Sequence, residues 1–217
     1  MINRRGFIAC GAAALAAPSL VRASTAARTF RVLRDGSDIG FHRIAVTRSG
    51  ADVQVAIDIE LKVKFLGITA YRYEMANREI WRDGMMVSMD SKSNDDGAPA
   101  FSRVTAASGK LEVDGSVWSG VVDGDSASTT YWTKEFLNRK LWISTADGDP
   151  LKVDARPVGP SEVGGIATEK YSIGGDMAID LHYAGDEWVS VRFDAGGEDA
   201  IYIPDGLSPA MAPVWTA

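Results

Sequence analysis

The side chains best suited to acid–base chemistry in this 217-residue chain are two histidines and a few closely spaced carboxylates. His42 and His182 are the only histidines, and each lies in a stretch where polar and apolar residues alternate. Alternate residues of a strand point to opposite faces, so His42 is predicted to face the apolar side with Ile44, and His182 the solvent side with Asp180. This placement favours neither a histidine metal site nor a catalytic histidine pair.

Two carboxylates four residues apart form the second candidate for chemistry. Glu79 and Asp83 share one face of a predicted strand, so a paired-acid site remains open. A hydrolase hypothesis would use one of these carboxylates or His182 as its general base. It requires a cleft that solvent can reach, in which at least two of the three side chains converge.

Metal binding has weaker support in the sequence. The acidic stretch 90–97 lacks the ladder of oxygen ligands and the distal glutamate of a calcium loop, and Lys92 interrupts it. Cys10, the only cysteine, lies in the N-terminal leader. The chain also has no G-x-S-x-G elbow and no phosphate loop. We therefore assign no catalytic residue, no metal ligand and no cofactor from the sequence.

The elements that would position these groups are strands. Residues 53–65 carry a large apolar residue at every odd position, and polar residues at the even positions except Ala56. A period of two over thirteen residues predicts one very long strand with one apolar and one polar face. The same alternation resumes at Tyr71–Met75 after a turn at Leu66-Gly67, which predicts the returning antiparallel strand.

Shorter alternating runs follow between turn dipeptides such as Asp83-Gly84 and Ser108-Gly109. The predicted fold is mainly β, a large curved antiparallel sheet forming a meander, half-barrel or open barrel, with one short helix near 130–140. The predicted strands are 29–34, 39–48, 52–66, 69–82, 85–93, 100–107, 110–114, 141–145, 151–158, 166–174, 177–184, 187–194 and 199–203.

Such a sheet needs cover on one side only, because one face of nearly every strand is polar. One short helix is too small to cover the apolar face of a thirteen-residue strand. The sheet must therefore curl on itself or leave an apolar hollow. The candidate ligand-binding residues share the apolar parity of the two long strands: Val55, Ile57, Ile59, Leu61, Val63, Phe65, Tyr71 and Tyr73.

The first 23 residues have the features of a twin-arginine signal peptide. Arg4 and Arg5 precede a short apolar stretch that is too short to span a bilayer, and Val21-Arg22-Ala23 is an acceptable cleavage site. The expected localisation is periplasmic or secreted. We expect residues 24–203 to form a single β domain, and 204–217 a proline-rich tail that is frayed.

The charge of the mature chain limits its partners. Removing residues 1–23 takes away three arginines and no acid, so 20 basic and 29 acidic residues remain, a net charge of −9. An acidic chain without a basic stripe is not expected to bind nucleic acid or an anionic membrane surface. No transmembrane segment is predicted in the mature chain, and the oligomeric state stays open.

Several short motifs occur in this chain in the same order as in a known family, which the chain therefore resembles. They include Ile39-Gly40-Phe41-His42, Glu79-Ile80-Trp81-Arg82-Asp83-Gly84, Tyr171-Ser172-Ile173-Gly174-Gly175-Asp176 and Asp180-Leu181-His182-Tyr183. In this order the chain resembles the exported domain-of-unknown-function family 6134 over roughly residues 29–203. The resemblance implies no activity, cofactor or catalytic residue. The predicted architecture is also similar to the half-barrels of periplasmic lipoprotein carriers, a likeness of fold that does not by itself specify function.

Three hypotheses about function follow. The first is a non-enzymatic periplasmic binding or carrier protein that holds a lipid or other apolar small molecule on the concave face of the sheet. The second is a structural or assembly protein acting through an exposed strand edge. The third is a hydrolase that uses the carboxylates near Glu79 and Asp83.

Overall fold

The structure, a computed structural model, describes residues 24–65 and 68–216, with the side chain of Phe65 left out of the description. The predicted signal peptide and the predicted turn at Leu66-Gly67 lie outside these residues. The strands are β1 (Ser24–Arg34), β2 (Ser37–Ser49), β3 (Asp52–Phe65), β4 (Ile68–Arg82), β5 (Met85–Asp95), β6 (Ala98–Ala107), β7 (Lys110–Gly115), β8 (Ser119–Asp123), β9 (Ala127–Ser128), β10 (Leu141–Ile143), β11 (Pro150–Val163), β12 (Ile166–Gly175), β13 (Ile179–Ala184), β14 (Glu187–Asp194) and β15 (Asp199–Pro204). A 3₁₀ helix covers Lys134–Asn138, and a short α-helix, α1, covers Ala212–Thr216.

The long alternating run forms a single strand, as the sequence predicts. β3 has fourteen residues, and Val55 and Ile57 on its apolar face are buried. It pairs with β4 in antiparallel register, with Ile59 opposite Met75 and Leu61 opposite Tyr73. Apolar positions of the two strands therefore lie side by side on one face, because directly opposed residues in an antiparallel pair point the same way.

All fifteen strands join one sheet, in the order β8-β7-β6-β5-β4-β3-β2-β1-β15-β14-β13-β12-β11-β10-β9. The first thirteen pairs of neighbours in this order are antiparallel, and they are either meander connections or the pairing of β1 with β15. β9 alone pairs in parallel, with β10, so the sheet is mixed. It is not closed into a barrel. The prediction of a mainly β fold built on one large sheet is confirmed.

The sheet curls until residues from its two halves touch. Ser93 of β5 donates a hydrogen bond from Oγ to the carbonyl of Ala146, at 2.9 Å. The backbone N–H of Val117 donates to the carbonyl of Asp147 at 3.0 Å. These contacts join strands that are far apart in the order of the sheet, so the apolar faces of the two halves enclose a common interior.

Residues 126–146, which we call the cover segment, close one end of this interior. The helix predicted near 130–140 is here only the 3₁₀ turn, with Thr133 as its N-cap. Trp132, Phe136 and Trp142 of the cover segment are buried. Trp132 and Phe136 pack against Trp81 of β4, and the ring centroids of Trp81 and Phe136 are 4.8 Å apart. This end of the interior is filled.

The C-terminal segment, residues 205–216, is ordered against the sheet rather than frayed as the sequence predicts. Met211 and Val214 are buried, and α1 contacts β1 and β2. The guanidinium of Arg48 donates hydrogen bonds to the carbonyls of Val214, at 2.8 Å, and Trp215, at 2.6 Å. The segment contains two prolines, Pro209 and Pro213, and its helix is short, but apolar burial still fixes it. Neither helix within residues 24–65 and 68–216 has the length and apolar composition needed to cross a bilayer.

Candidate ligand cavity

The other end of the interior is not filled, and it contains a cavity of about 380 Å³, which we call the inner chamber. Its walls come from β2, β3 and β4 on one side and from β13, β14 and β15 on the other, with the cover segment as its roof. Ile59, Met177 and Phe193 give it apolar walls. A volume of this size is typical of small-molecule sites.

A second cavity of about 490 Å³, the outer chamber, adjoins the first. Leu61, Tyr71 and Phe193 line both chambers, so these three side chains form the boundary between them. Beyond the outer chamber, a surface depression of about 650 Å³ includes Arg34 and Glu198, which form an ion pair of 2.9 Å. The depression and the two chambers thus adjoin in series, and the inner chamber is the one that shares no lining residue with the charged mouth.

The structure places the eight predicted ligand-binding residues in three groups. Most of them face the cavity: Ile59, Leu61, Tyr71 and Tyr73 line the inner chamber, and Val63 lines the outer chamber. Val55 and Ile57, by contrast, are fully packed in the filled end. The side chain of Phe65 lies outside the described part. Parity predicts which face a residue occupies, but not where packing along that face ends.

The roof of the inner chamber is polar, a feature that the sequence patterns did not indicate. Thr129, Thr130, Ser144 and Thr145 of the cover segment line it. The hydroxyls of Thr129 and Thr145 lie 3.0 Å apart, and the N–H of Thr145 donates to Thr129 Oγ1 at 3.0 Å. The cavity is therefore amphipathic, with apolar walls under a roof of hydroxyl groups.

Three tyrosines, Tyr73, Tyr131 and Tyr202, line the same chamber. Burial, with Asp95 and Asp147 nearby, raises the pKa of Tyr73 to about 12. Burial also raises the pKa of Tyr131 and Tyr202, and the proximity of Tyr73 adds to both shifts. All three phenols therefore remain uncharged throughout the physiological pH range.

Tyr131 is held in an unusual backbone conformation at this position. Its φ is +37°, in the left-handed region that residues other than glycine rarely adopt. The hydroxyl of Tyr183 donates to its carbonyl at 2.8 Å, and its ring packs 5.3 Å from that of Trp188. Strained conformations of this kind cluster at functional sites.

His42 lies beside these tyrosines and also lines the inner chamber. As predicted it faces the apolar side, and its ring centroid is 5.2 Å from that of Trp188 and 5.4 Å from that of Tyr202. Burial lowers its pKa from 6.5 to about 3, so the imidazole is neutral. Within the described residues, neither of its ring nitrogens has a hydrogen-bond partner.

The prediction that His182 faces water is wrong, although its side of the strand is assigned correctly. It points away from the core residues Leu181 and Tyr183, yet it is only 4% exposed. On this outward face the buried Thr168 of β12 lies beside it, with its Oγ1 3.5 Å from Nδ1 of the imidazole. Burial lowers the pKa of His182, and the positive charge of the nearby Lys170 lowers it further.

Glu79 and Asp83 do not form a paired-acid site. Glu79 is buried, and its carboxylate accepts hydrogen bonds from Asn77 Nδ2 at 2.8 Å, Trp81 Nε1 at 2.7 Å and Trp132 Nε1 at 3.2 Å. Asp83 is exposed in the turn after β4, with a φ of +51°. His182 lies on the outward face of β13, so the three candidate catalytic groups are separate.

Metal ligands are not clustered in the part of the chain that the structure describes. No three His, Cys, Asp or Glu side chains there lie close enough to hold a metal ion. In the acidic stretch 90–97, Asn94 Oδ1 instead accepts a hydrogen bond from the N–H of Gly97 at 2.8 Å, which stabilises the turn between β5 and β6.

Fold and cavity together define the class: a curled, open β-sheet protein with an amphipathic internal cavity. Within that class the chain belongs to the family described as a domain of unknown function (DUF6134), whose model matches residues 30–205. The match covers all of the strands from β2 to β15. Neither the curated proteins nor the solved structures contain a match to this chain.

Proposed function

We propose that this protein is a non-enzymatic binding or carrier protein that holds a lipid or another apolar small molecule in the two chambers. The single observation that carries the proposal is the cavity itself, which continues from the mouth to the interior past Leu61 and Tyr71. An apolar molecule that leaves water for such walls gains about 0.8 kcal/mol per buried CH₂ group.

Export to the periplasm or the medium is part of the same proposal. It rests on the twin-arginine motif at Arg4 and Arg5. A carrier in that compartment would meet apolar molecules that cannot cross an aqueous space by themselves. Twin-arginine export of a folded protein would also allow a ligand to be bound before transport.

Mass spectrometry of the protein as it is exported tests this function. The full chain is expressed in a bacterium with a twin-arginine system, recovered from the periplasm and measured under native conditions. We expect a species heavier than the mature chain, whose extra mass is removed by organic extraction. Protein that carries no extra mass, and that takes up no apolar probe after extraction, would contradict the proposal.

Assembly through a strand edge is the second candidate, and one observation favours it. β8 ends the sheet with a neighbour on one side only within residues 68–216, and Val121 in this strand is 61% exposed. Unpaired edges with exposed apolar residues promote pairing with another chain. Sedimentation of the wild type and of Val121→Lys tests it, and a concentration-dependent oligomer that the variant loses would support it.

A further inference from the structure

The interior end of the inner chamber carries the most specific chemical information in the molecule. We define its polar end as His42, Tyr73, Tyr131 and Tyr202, which all line the chamber. Each offers a polar atom in a chamber whose other polar lining groups are those of the hydroxyl roof.

No charged side chain in the described part of the chain lines the polar end, although Asp95 and Asp147 lie near Tyr73 outside the lining. Among the described residues that line the inner chamber there is no Asp, Glu, Lys or Arg. The charged side chains are instead at the outer chamber and its mouth, where Arg34 and Glu198 form their ion pair. An ionised group moved to the interior end would lose its water without gaining an opposite charge, which is strongly unfavourable.

His42 has an unpaired hydrogen-bond donor and an unpaired acceptor. Its neutral imidazole has one N–H donor and one nitrogen acceptor, and both nitrogens are buried without a partner among the described residues. Buried polar atoms are nearly always paired in folded proteins, and an unpaired one is destabilising. A hydroxyl or carbonyl group beside the imidazole would satisfy one of the two nitrogens: either group can accept from the N–H, and a hydroxyl can instead donate to the other nitrogen.

We propose that the polar end binds an uncharged hydroxyl or carbonyl group at one end of an otherwise apolar molecule, with His42 and Tyr202 as its hydrogen-bonding partners. The inference rests on the proposed carrier function and specifies its ligand class. It places the uncharged group of the ligand at the interior end and its apolar body across Leu61 into the outer chamber.

A series of probes with the same twelve-carbon chain tests the ligand class. 1-Dodecanol, dodecanoate and dodecyltrimethylammonium are used below their aggregation concentrations to displace the fluorescent dye N-phenyl-1-naphthylamine from the delipidated mature protein. We expect 1-dodecanol to displace the dye at a concentration at least ten times lower than either charged probe. Equal or tighter binding of a charged probe would overturn the inference.

Two variants locate the group that recognises the head of the probe. His42→Leu and Tyr202→Phe should each weaken 1-dodecanol binding about tenfold, and change the binding of the charged probes by less than twofold. Tyr202→Phe removes one oxygen and keeps the packing of the ring. His182→Leu is the matched control, because this second buried histidine is remote from the cavity, and it should bind 1-dodecanol like the wild type.

The possible failures are distinguishable. If the dye and all three probes fail to bind to the wild type, the carrier function and the inference both fall. If the dye binds but neither variant weakens 1-dodecanol binding, the carrier function survives and the assignment of His42 and Tyr202 is wrong.

Discussion

Trp132 donates a hydrogen bond from its indole nitrogen to the buried carboxylate of Glu79, across 3.2 Å. This bond joins the cover segment to β4, over a separation of 53 residues in the chain. Trp81 donates to the same oxygen at 2.7 Å, so two indoles depend on one acceptor. The carboxylate therefore holds the filled end of the interior together, and by fixing the cover segment it also fixes the roof of the inner chamber.

Replacing Glu79 should destabilise the whole fold. Glu79→Leu preserves bulk but leaves the two indole N–H groups and the amide of Asn77 buried without an acceptor. Each such group costs about 1–3 kcal/mol, so we expect the free energy of unfolding in urea to fall by at least about 3 kcal/mol. Glu79→Gln keeps one acceptor oxygen and should cost less.

Glu74→Leu is the matched control, since Glu74 lies on the same strand and its carboxylate is partly exposed in an ion pair with Arg72. An exposed pair contributes about 0–1 kcal/mol. If Glu79→Leu were no more destabilising than Glu74→Leu, the carboxylate would not be the link between the cover segment and the sheet.

The stability of the protein should depend on pH through His42. Its pKa is about 3 in the folded state and 6.5 ordinarily, so between these values the unfolded chain binds more protons than the folded one. The stabilisation by neutral His42 is complete above pH 6.5, and it is lost as the pH falls towards 3. Urea unfolding of the wild type should lose about 2–3 kcal/mol between pH 7 and pH 4.5 from this group.

The comparison with His42→Leu isolates that contribution, because the variant has no proton to bind at this position. We expect the wild-type and variant curves to converge as the pH is lowered, with the variant flatter throughout. His182→Leu should keep most of the wild-type slope. Parallel curves for the wild type and His42→Leu would show that the imidazole is not buried in its neutral form.

Arg28 should control the docking of the C-terminal segment. Its buried guanidinium donates to the carbonyl of Trp188 at 2.8 Å and to Glu187 Oε2 at 2.9 Å. Glu187 in turn accepts a hydrogen bond from the N–H of Ala212 at 2.6 Å. Breaking a buried pair by removing one partner costs about 3–5 kcal/mol.

We therefore expect Arg28→Ala to lower the free energy of unfolding by about 3 kcal/mol and to accelerate hydrogen exchange within residues 205–216. Arg78→Ala serves as the control, because Arg78 and Asp58 form an ion pair with both side chains about half exposed. Unchanged exchange in the C-terminal segment of Arg28→Ala would show that apolar packing alone docks it.

Strand positions could be predicted because they depend on local alternation. β3 and β4 are long enough for the period of two to be unambiguous, and the Asp83-Gly84 turn fixes where β4 ends. β8 was missed because Ser119–Asp123 is a short edge strand with Gly120 at its centre. α1 was missed because its stability comes from docking against β1 and β2, which leaves no periodic pattern in five residues.

The cavity could be predicted only in part, since parity assigns a face but not what covers it. Ile59 and Val55 have the same parity in β3. Ile59 lines the cavity, whereas Val55 is packed in the filled end of the interior. The acceptor role of Glu79 depends on Trp132, and the burial of His182 involves Thr168 of the neighbouring strand β12. Such contacts leave no local trace in the sequence.

The most direct test of the central claim is to fill the boundary between the chambers and measure uptake of an apolar dye. N-phenyl-1-naphthylamine fluorescence is titrated with the mature wild type, with Leu61→Trp, and with Val121→Trp on the exposed face of β8 as the control. We predict saturable binding to the wild type and to Val121→Trp, and at least tenfold weaker binding to Leu61→Trp. Binding to Leu61→Trp that equals the wild type, or no binding to any of the three, would contradict the account.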